Sequence, residues 1–323
     1  MMQDAIKNFA KQFEYEPILV GKKMKKYKHY IVAGMGGSRL PALILQSIKP
    51  ELPLTLWNDY GLPFISPSER STTCLIVSSY SGNTEETIDA INQAMKKKIS
   101  VAVIAVGGKL IEVAKNKRLP YIQLPNTGIQ PRSALGFSIR ALCKVLGEEA
   151  LLRQSKSLAK TLNPISLEKT GRELATKLKN KVPVIYSSNT NVSIAYNWKI
   201  KFNETGKIPA FYNVLPELNH NEMNGLDAND ATRNLSAGFH FIFLKDAKDN
   251  KRVQKRFAIL EKLYRARDLE VTTINLAGKN QFEKIFSSLI LADWAAVATA
   301  ELYGLESEQV PMVEEFKKLM TVK

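Results

Sequence analysis

The chain has 323 residues, with 46 Lys and Arg against 31 Asp and Glu, a formal net charge of +15. A hydrophobic share of 45% and a charged share of 24% are those of a globular protein and exclude disorder, collagen and biased solenoid repeats. The length predicts about two domains, and the charge predicts an anionic partner: nucleic acid, an acidic membrane surface or a phosphorylated substrate.

The two cysteines, Cys74 and Cys143, lie in apolar patterns and read as buried free thiols, with no C-x-x-C pair for a zinc ribbon or redox motif. The start, MMQDAIKNFAKQFEYE, lacks the apolar core of a signal peptide. The longest apolar run, residues 287–304, is interrupted by Asp293 and Glu301 and reads as a buried helix rather than a membrane span. A reduced, cytoplasmic protein is the expectation.

In chain order, short β-rich runs alternate with longer helical patterns. Strands are predicted over 29–35, 53–59, 72–80, 100–106 and 120–125, and helices over 41–49, 84–98, 110–117 and 133–147. Continuous apolar strands separated by helices imply a parallel sheet covered on both faces. Residues 148–181 are charged and helical, broken at Asn163-Pro164, and read as a connection between domains. The alternation then restarts, with strands over 182–188, 237–245 and 270–276 and helices over 191–204, 250–266, 281–302 and 310–320. The expectation is α/β: two doubly wound parallel-sheet domains, each a three-layer αβα sandwich, over 1–150 and 151–323. The lysine runs at 22–26 and 96–98 and the basic helix 251–267 read as solvated faces, since none is interleaved with aromatics as a single-strand binder requires.

Three stretches carry chemistry. Gly34-Met35-Gly36-Gly37-Ser38-Arg39 follows a strand and opens a helix, where backbone N–H groups can meet an anion. A dinucleotide fingerprint needs glycine at position 39, which is Arg39, although Asp59 stands where a ribose-binding acid would; a tight turn without ligand is the plain alternative. Ser78-Ser79-Tyr80-Ser81-Gly82-Asn83-Thr84-Glu85-Glu86-Thr87 crowds hydroxyls and a glycine at another helix start, a phosphate cradle without the lysine of a nucleotide P-loop. Asn83 with Glu86 also forms a capping-box pattern, which explains part of it. The third stretch is split between Asn203-Glu204-Thr205-Gly206 and Pro216-Glu217-Leu218-Asn219-His220-Asn221-Glu222. His29 and His240 fall at the start of a strand and inside one, which leaves His220 as the histidine placed for acid/base work. Gly128-Ile129-Gln130-Pro131-Arg132 presents an arginine before a helix, to neutralise developing negative charge or to make a helix-entry salt bridge.

Together these segments resemble the sugar isomerase (SIS) domains and, within them, the bifunctional phosphoglucose/phosphomannose isomerases, compact relatives of phosphoglucose isomerase. The motifs that carry the likeness are Gly34–Ser38, Ser79–Thr87, Pro131-Arg132 with Leu135-Gly136, Asn203-Glu204 and Glu217–Glu222. The resemblance implies that Gly36, Gly37, Ser38, Ser79, Ser81 and Thr84 hold the sugar phosphate. It implies Arg132 over C1 and C2 of the sugar, Glu204 as the base between C2 and C1, and His220 as the ring-opening group contributed by the partner of a homodimer. A lysine of the terminal helix, Lys317 with Lys318 as alternative, closes the site. It further implies interconversion of glucose 6-phosphate or mannose 6-phosphate with fructose 6-phosphate in carbohydrate metabolism, through a cis-enediol and with neither cofactor nor metal. The second half has no second serine-rich loop, so one phosphate site per chain is expected, between the domains and at carboxyl ends of strands.

Three other readings compete. A DNA-binding SIS regulator needs an N-terminal helix-turn-helix, for which the 28 residues before the first strand are too few. An amidotransferase needs a glutaminase domain with an N-terminal cysteine. A non-catalytic sugar-phosphate sensor differs from the enzyme chiefly at Glu204 and His220. Nucleic acid and membrane are therefore not expected partners, and the excess charge serves at most to draw a dianion toward the cleft.

Overall fold

The computed structural model describes residues 2–227 and 229–321. The chain forms two compact units, one of Asn8–Leu162 and one of Met1–Lys7 with Asn163–Lys323. After α1 (Met2–Lys7), which belongs to the second of these, the Asn8–Leu162 unit runs β1 (His29–Ala33), α2 (Leu40–Ile48), β2 (Leu54–Trp57), β3 (Thr73–Ser78), α3 (Glu85–Lys96), β4 (Ser100–Ala105), α4 (Gly108–Asn116), β5 (Tyr121–Gln123), α5 (Leu135–Leu146), α6 (Glu149–Lys156) and α7 (Leu158–Thr161). The five strands are parallel in the order β2-β1-β3-β4-β5.

Every residue of β3 is buried, because both faces of this central strand carry helices. One face puts Ile31, Leu75, Val77, Val101 and Val103 against Ala90, Ile91, Leu110 and Ile111 of α3 and α4. The alternate residues Tyr30, Val32, Ile76 and Ile104 are equally buried, as the two-residue period of a strand requires. On that side α2 packs on α5.

The second unit continues with α8 (Glu168–Lys177), β6 (Val182–Ser188), α9 (Val192–Glu204), β7 (Phe211–Leu215), α10 (Arg233–Ser236), β8 (Phe239–Asp246), α11 (Lys251–Arg265), β9 (Glu270–Leu276), α12 (Gln281–Leu302) and α13 (Pro311–Thr321). Its sheet is parallel in the order β7-β6-β8-β9, repeating the β2-β1-β3-β4 part of the first. Two parallel α/β sheets are thus present as expected. The charged stretch after Glu148 divides: α6 and α7 stay with the first unit, and α8 packs on α12 in the second.

Helix α12 has the length and composition of a membrane span, yet it is buried over most of its length as a core helix. Its Asp293 meets Lys201 of α9 at 2.5 Å, both nearly inaccessible to solvent, which is how a buried helix tolerates a carboxylate. Trp198 donates its indole N–H to Ser288 Oγ at 3.0 Å, and Trp294 donates to the carbonyl of Pro164 at 2.8 Å. Strand β7 is absent from the sequence-based expectation. Its outer residues Phe211 and Tyr212 are exposed at the sheet edge, and Asn213 interrupts the apolar pattern.

Candidate functional site

In the Asn8–Leu162 unit the chain leaves β1 toward one edge of the sheet and leaves the adjacent β3 toward the other. A crevice therefore opens at the carboxyl ends of these two strands, the place where open α/β sheets take ligands. The Gly36–Ser38 turn and the Ser79–Thr84 loop are the segments that emerge there.

The two loops are tied together. Ser78 Oγ donates to the carbonyl of Ser38 at 3.0 Å, and the backbone N–H of Tyr80 donates to Ser38 Oγ at 2.9 Å. Ser38 thereby uses an acceptor site and keeps its hydroxyl proton as a donor. Ser79 is buried; its Oγ lies 2.8 Å from Thr84 Oγ1 and accepts the N–H of Gly82 at 3.1 Å. Ser81 is exposed and its Oγ accepts from the N–H of Asn83 at 3.3 Å. Tyr80 lines the same loop, and burial raises its phenol above the usual value.

The capping-box expectation is corrected. The N-cap of α3 is Thr84, and its side chain makes no cap hydrogen bond because Thr84 Oγ1 is committed to Ser79. Asn83 turns away and accepts the N–H of Lys109 at 3.0 Å, bracing the loop that follows β4. The first N–H groups of α3 thus donate no bond to the Thr84 side chain, and N–H groups at a helix start can meet an anion.

Arg132 belongs to the same region. Gly37 admits it: a Cβ there would stand 3.0 Å from the backbone nitrogen of Arg132. Gln12, which sequence reasoning overlooked, fixes this turn from below, donating to the carbonyl of Ser133 at 2.6 Å and accepting the N–H of Gly136 at 2.9 Å. Arg132 itself is only 2% exposed. The structure thus brings Gly36, Gly37, Ser38, Ser79, Ser81, Thr84 and Arg132 into one neighbourhood.

The other unit carries Glu204, His220 and Lys317, and it does not gather them. Glu204 ends α9, half-buried. Because β6 and β7 are parallel, α9 must return to the amino ends of the strands, roughly 20 Å over its 13 residues. Glu204 therefore lies at the opposite end of its sheet from the carboxyl ends where the sequence placed the site. His220 follows β7, on the turn Glu217–His220 at the carboxyl end, so the five residues of β7, roughly 17 Å, separate it from the Glu204 end.

The residues around His220 form its mount. Leu218 is buried in the core, Asn219 accepts from Arg256 at 3.2 Å, and Asn221 donates to Glu217 at 2.9 Å. Glu222 accepts from the Tyr186 hydroxyl and from Asn213. His220 is left exposed. His240, by contrast, is buried between Glu270 at 3.1 Å and Thr272 at 2.8 Å, and burial lowers its pKa against the opposing pull of Glu270.

Lys317 stands on α13, exposed and paired with Glu314 at 2.7 Å; Lys318 is exposed beside it. The base of this helix is linked to Glu204 by a residue that no local pattern singles out. Lys207 donates from Nζ to the carbonyl of Glu204 at 2.7 Å and also to the carbonyl of Gln309. The end of α9 and the start of α13 share that ammonium.

The crevice equivalent to the serine loop is closed by the unit's own side chains. At the ends of β6 and β8, Ser188 donates to Asp249 at 2.6 Å, and Asn191 reaches both Asp246 and Asp249 at 3.2 Å. Lys284 pairs with Asp246 there, so these buried polar groups are engaged with one another rather than with a ligand.

The doubled parallel sheet with a serine-rich switch-point crevice defines the SIS class of sugar-phosphate folds. A family model described as the bacterial phospho-glucose isomerase C-terminal SIS domain matches residues 167–320. The tagatose-6-phosphate ketose/aldose isomerase of Escherichia coli has the same fold, with a TM-score of 0.66 at 15% identity over 96% of this chain and 90% of that one. A bifunctional phosphoglucose/phosphomannose isomerase of Aquifex aeolicus is 34% identical over 97% of this chain and 96% of its own length. That of Caldicellulosiruptor bescii is 31% identical, with 100% of each chain covered. The chain belongs to the bifunctional phosphoglucose/phosphomannose isomerase family.

Proposed function

We propose that the protein interconverts glucose 6-phosphate or mannose 6-phosphate with fructose 6-phosphate. The observation that carries this is the crevice at β1 and β3, where the serine and threonine hydroxyls gather beside the Arg132 backbone in a chain whose full length matches that family. In the proposal the Gly36–Ser38 turn with Ser79, Ser81 and Thr84 holds the phosphate. Ser79 acts mainly by fixing the loop, since its hydroxyl is spent internally.

The Glu204 carboxylate takes the proton from C2 of the open-chain aldose while the C1 oxygen gains one, giving a planar cis-enediol. The Glu204 carboxyl, which can exchange its proton with solvent, then delivers a proton to C1 as the C2 oxygen gives up its own, so the overall atom count is unchanged. Arg132, protonated at any working pH, steadies the negative charge that develops on the oxygens. Planarity at C2 erases the difference between glucose and mannose, which lets one intermediate serve both epimers. Ring opening moves a proton between O1 and O5 and falls to His220. The separation of Glu204 and His220 on one chain favours a homodimer in which His220 acts across the interface. A lysine of α13, Lys317, completes the site. The reaction is read as metal-free and cytoplasmic.

A coupled assay on fructose 6-phosphate, with and without chelator, tests this. Both aldose phosphates should form at rates the chelator does not change. Absence of both products would overturn the reading.

A further inference from the structure

Helix α13 has an apolar face that nothing among the described residues covers. Met312, Val313, Phe316, Leu319 and Met320 fall at i, i+1, i+4, i+7 and i+8, one side of a helix, and are between 45% and 82% exposed. A helix of 11 residues is marginal in water on propensity alone, so a surface against this face would stabilise it. Its approach is also acidic. From Gly304 to Phe316 the chain has Glu306, Glu308, Glu314 and Glu315 and neither Lys nor Arg, in a protein of net charge +15.

A matching surface exists in the same unit. A groove of about 590 Å³ runs between α11 and the turns after β7. Met223, Ile259 and Leu263 make its floor, and Arg252, Lys255 and Arg256 its rim. Apolar floor meets apolar helix face, and basic rim meets acidic approach.

The groove lies at the carboxyl end of the sheet: Arg252, Lys255 and Arg256 belong to the first turns of α11, and Asn219 is both a lining residue and the neighbour of His220. The root of α13, tied through Gln309 and Lys207 to Glu204, belongs to the amino end.

We infer that α13 of each protomer seats in the α11 groove of a second copy, a reciprocal exchange closed by twofold symmetry. This rests on the homodimer reading and names its contact surface. Two copies arranged so bring the Glu204 end of one chain beside the His220 turn of the other, which a single chain does not do. The α13 helix of one copy is thus both an interface element and the carrier of Lys317 toward the partner's His220 turn.

Two differently tagged full-length chains, one carrying Phe316→Cys and the other Ile259→Cys, are co-expressed and treated with a short bis-maleimide. Both positions are exposed, so folding is not at stake. The native thiols do not compete, because Cys74 and Cys143 are buried and burial pushes each up to about 12. A covalent dimer carrying both tags is expected from most of the mixed population. Cross-linking within one chain of the double variant, with none in the mixture, would overturn the exchange in favour of the chain's own groove. A dimer by native mass without any cross-link would overturn the surface but keep the homodimer. A monomer by native mass would overturn both.

Discussion

The carbonyl oxygen of Gly107 stands 1.8 Å from where a Cβ on Gly82 would lie. Gly82 also holds a φ of +73°, so the serine loop passes this point only as glycine. Gly82→Ala is expected to push the loop off its partners, at a backbone cost of about 1–3 kcal/mol before the clash is counted. The readout is KM for fructose 6-phosphate, expected to rise at least about tenfold, together with a lower melting temperature. An unchanged KM would separate the loop from the phosphate.

Glu204→Gln keeps the shape of the side chain and removes the base. Turnover should fall by about two to four orders of magnitude, the usual span for a general base. Affinity for the sugar phosphate, measured by calorimetry, should stay within a few-fold. Near-normal turnover would remove Glu204 from the chemistry.

Lys207 makes a different prediction, because it acts through other groups. A charged donor to a carbonyl contributes about 1.5–3 kcal/mol. Lys207→Met should therefore lower kcat about tenfold or more while leaving KM nearly unchanged. Lys207→Arg, which retains the donor, should recover most of the rate. A drop in KM-linked binding with kcat intact would show that Lys207 supports the substrate rather than the end of α9.

His240 gives the protein an acid-sensitive element. Its folded pKa lies below the unfolded value, with burial the leading cause. The unfolded chain therefore takes up a proton at about pH 6.5 that the folded chain refuses. Stability is fully present above that pH and is lost as pH falls toward the folded pKa. Urea unfolding between pH 5 and pH 8 should show this slope in the native protein and a flatter one in His240→Gln.

Much of this was legible in the sequence, for definite reasons. Runs such as TCLIVS in β3 announce strands buried on both faces, and the glycine and serine turns after β1 and β3 mark the crevice. Other features depend on contacts between distant residues. The Asn83 capping pattern is local, but Asn83 is drawn to the N–H of Lys109, 26 residues away. Lys207 meets Gln309 across 102 residues, and no pattern around either signals it. Strand β7 was missed because an edge strand needs apolar residues on fewer sides. The position of Glu204 was readable in principle: a helix after a parallel strand returns to the amino end, so a residue closing α9 belongs there.

The most direct test of the account is isomerisation of fructose 6-phosphate in deuterium oxide, followed by carbon NMR of the products. Proton transfer through an exchangeable carboxylate and a common planar enediol predicts both glucose 6-phosphate and mannose 6-phosphate, each with solvent deuterium at C2. Conversion with no deuterium at C2, or formation of neither aldose, would contradict it.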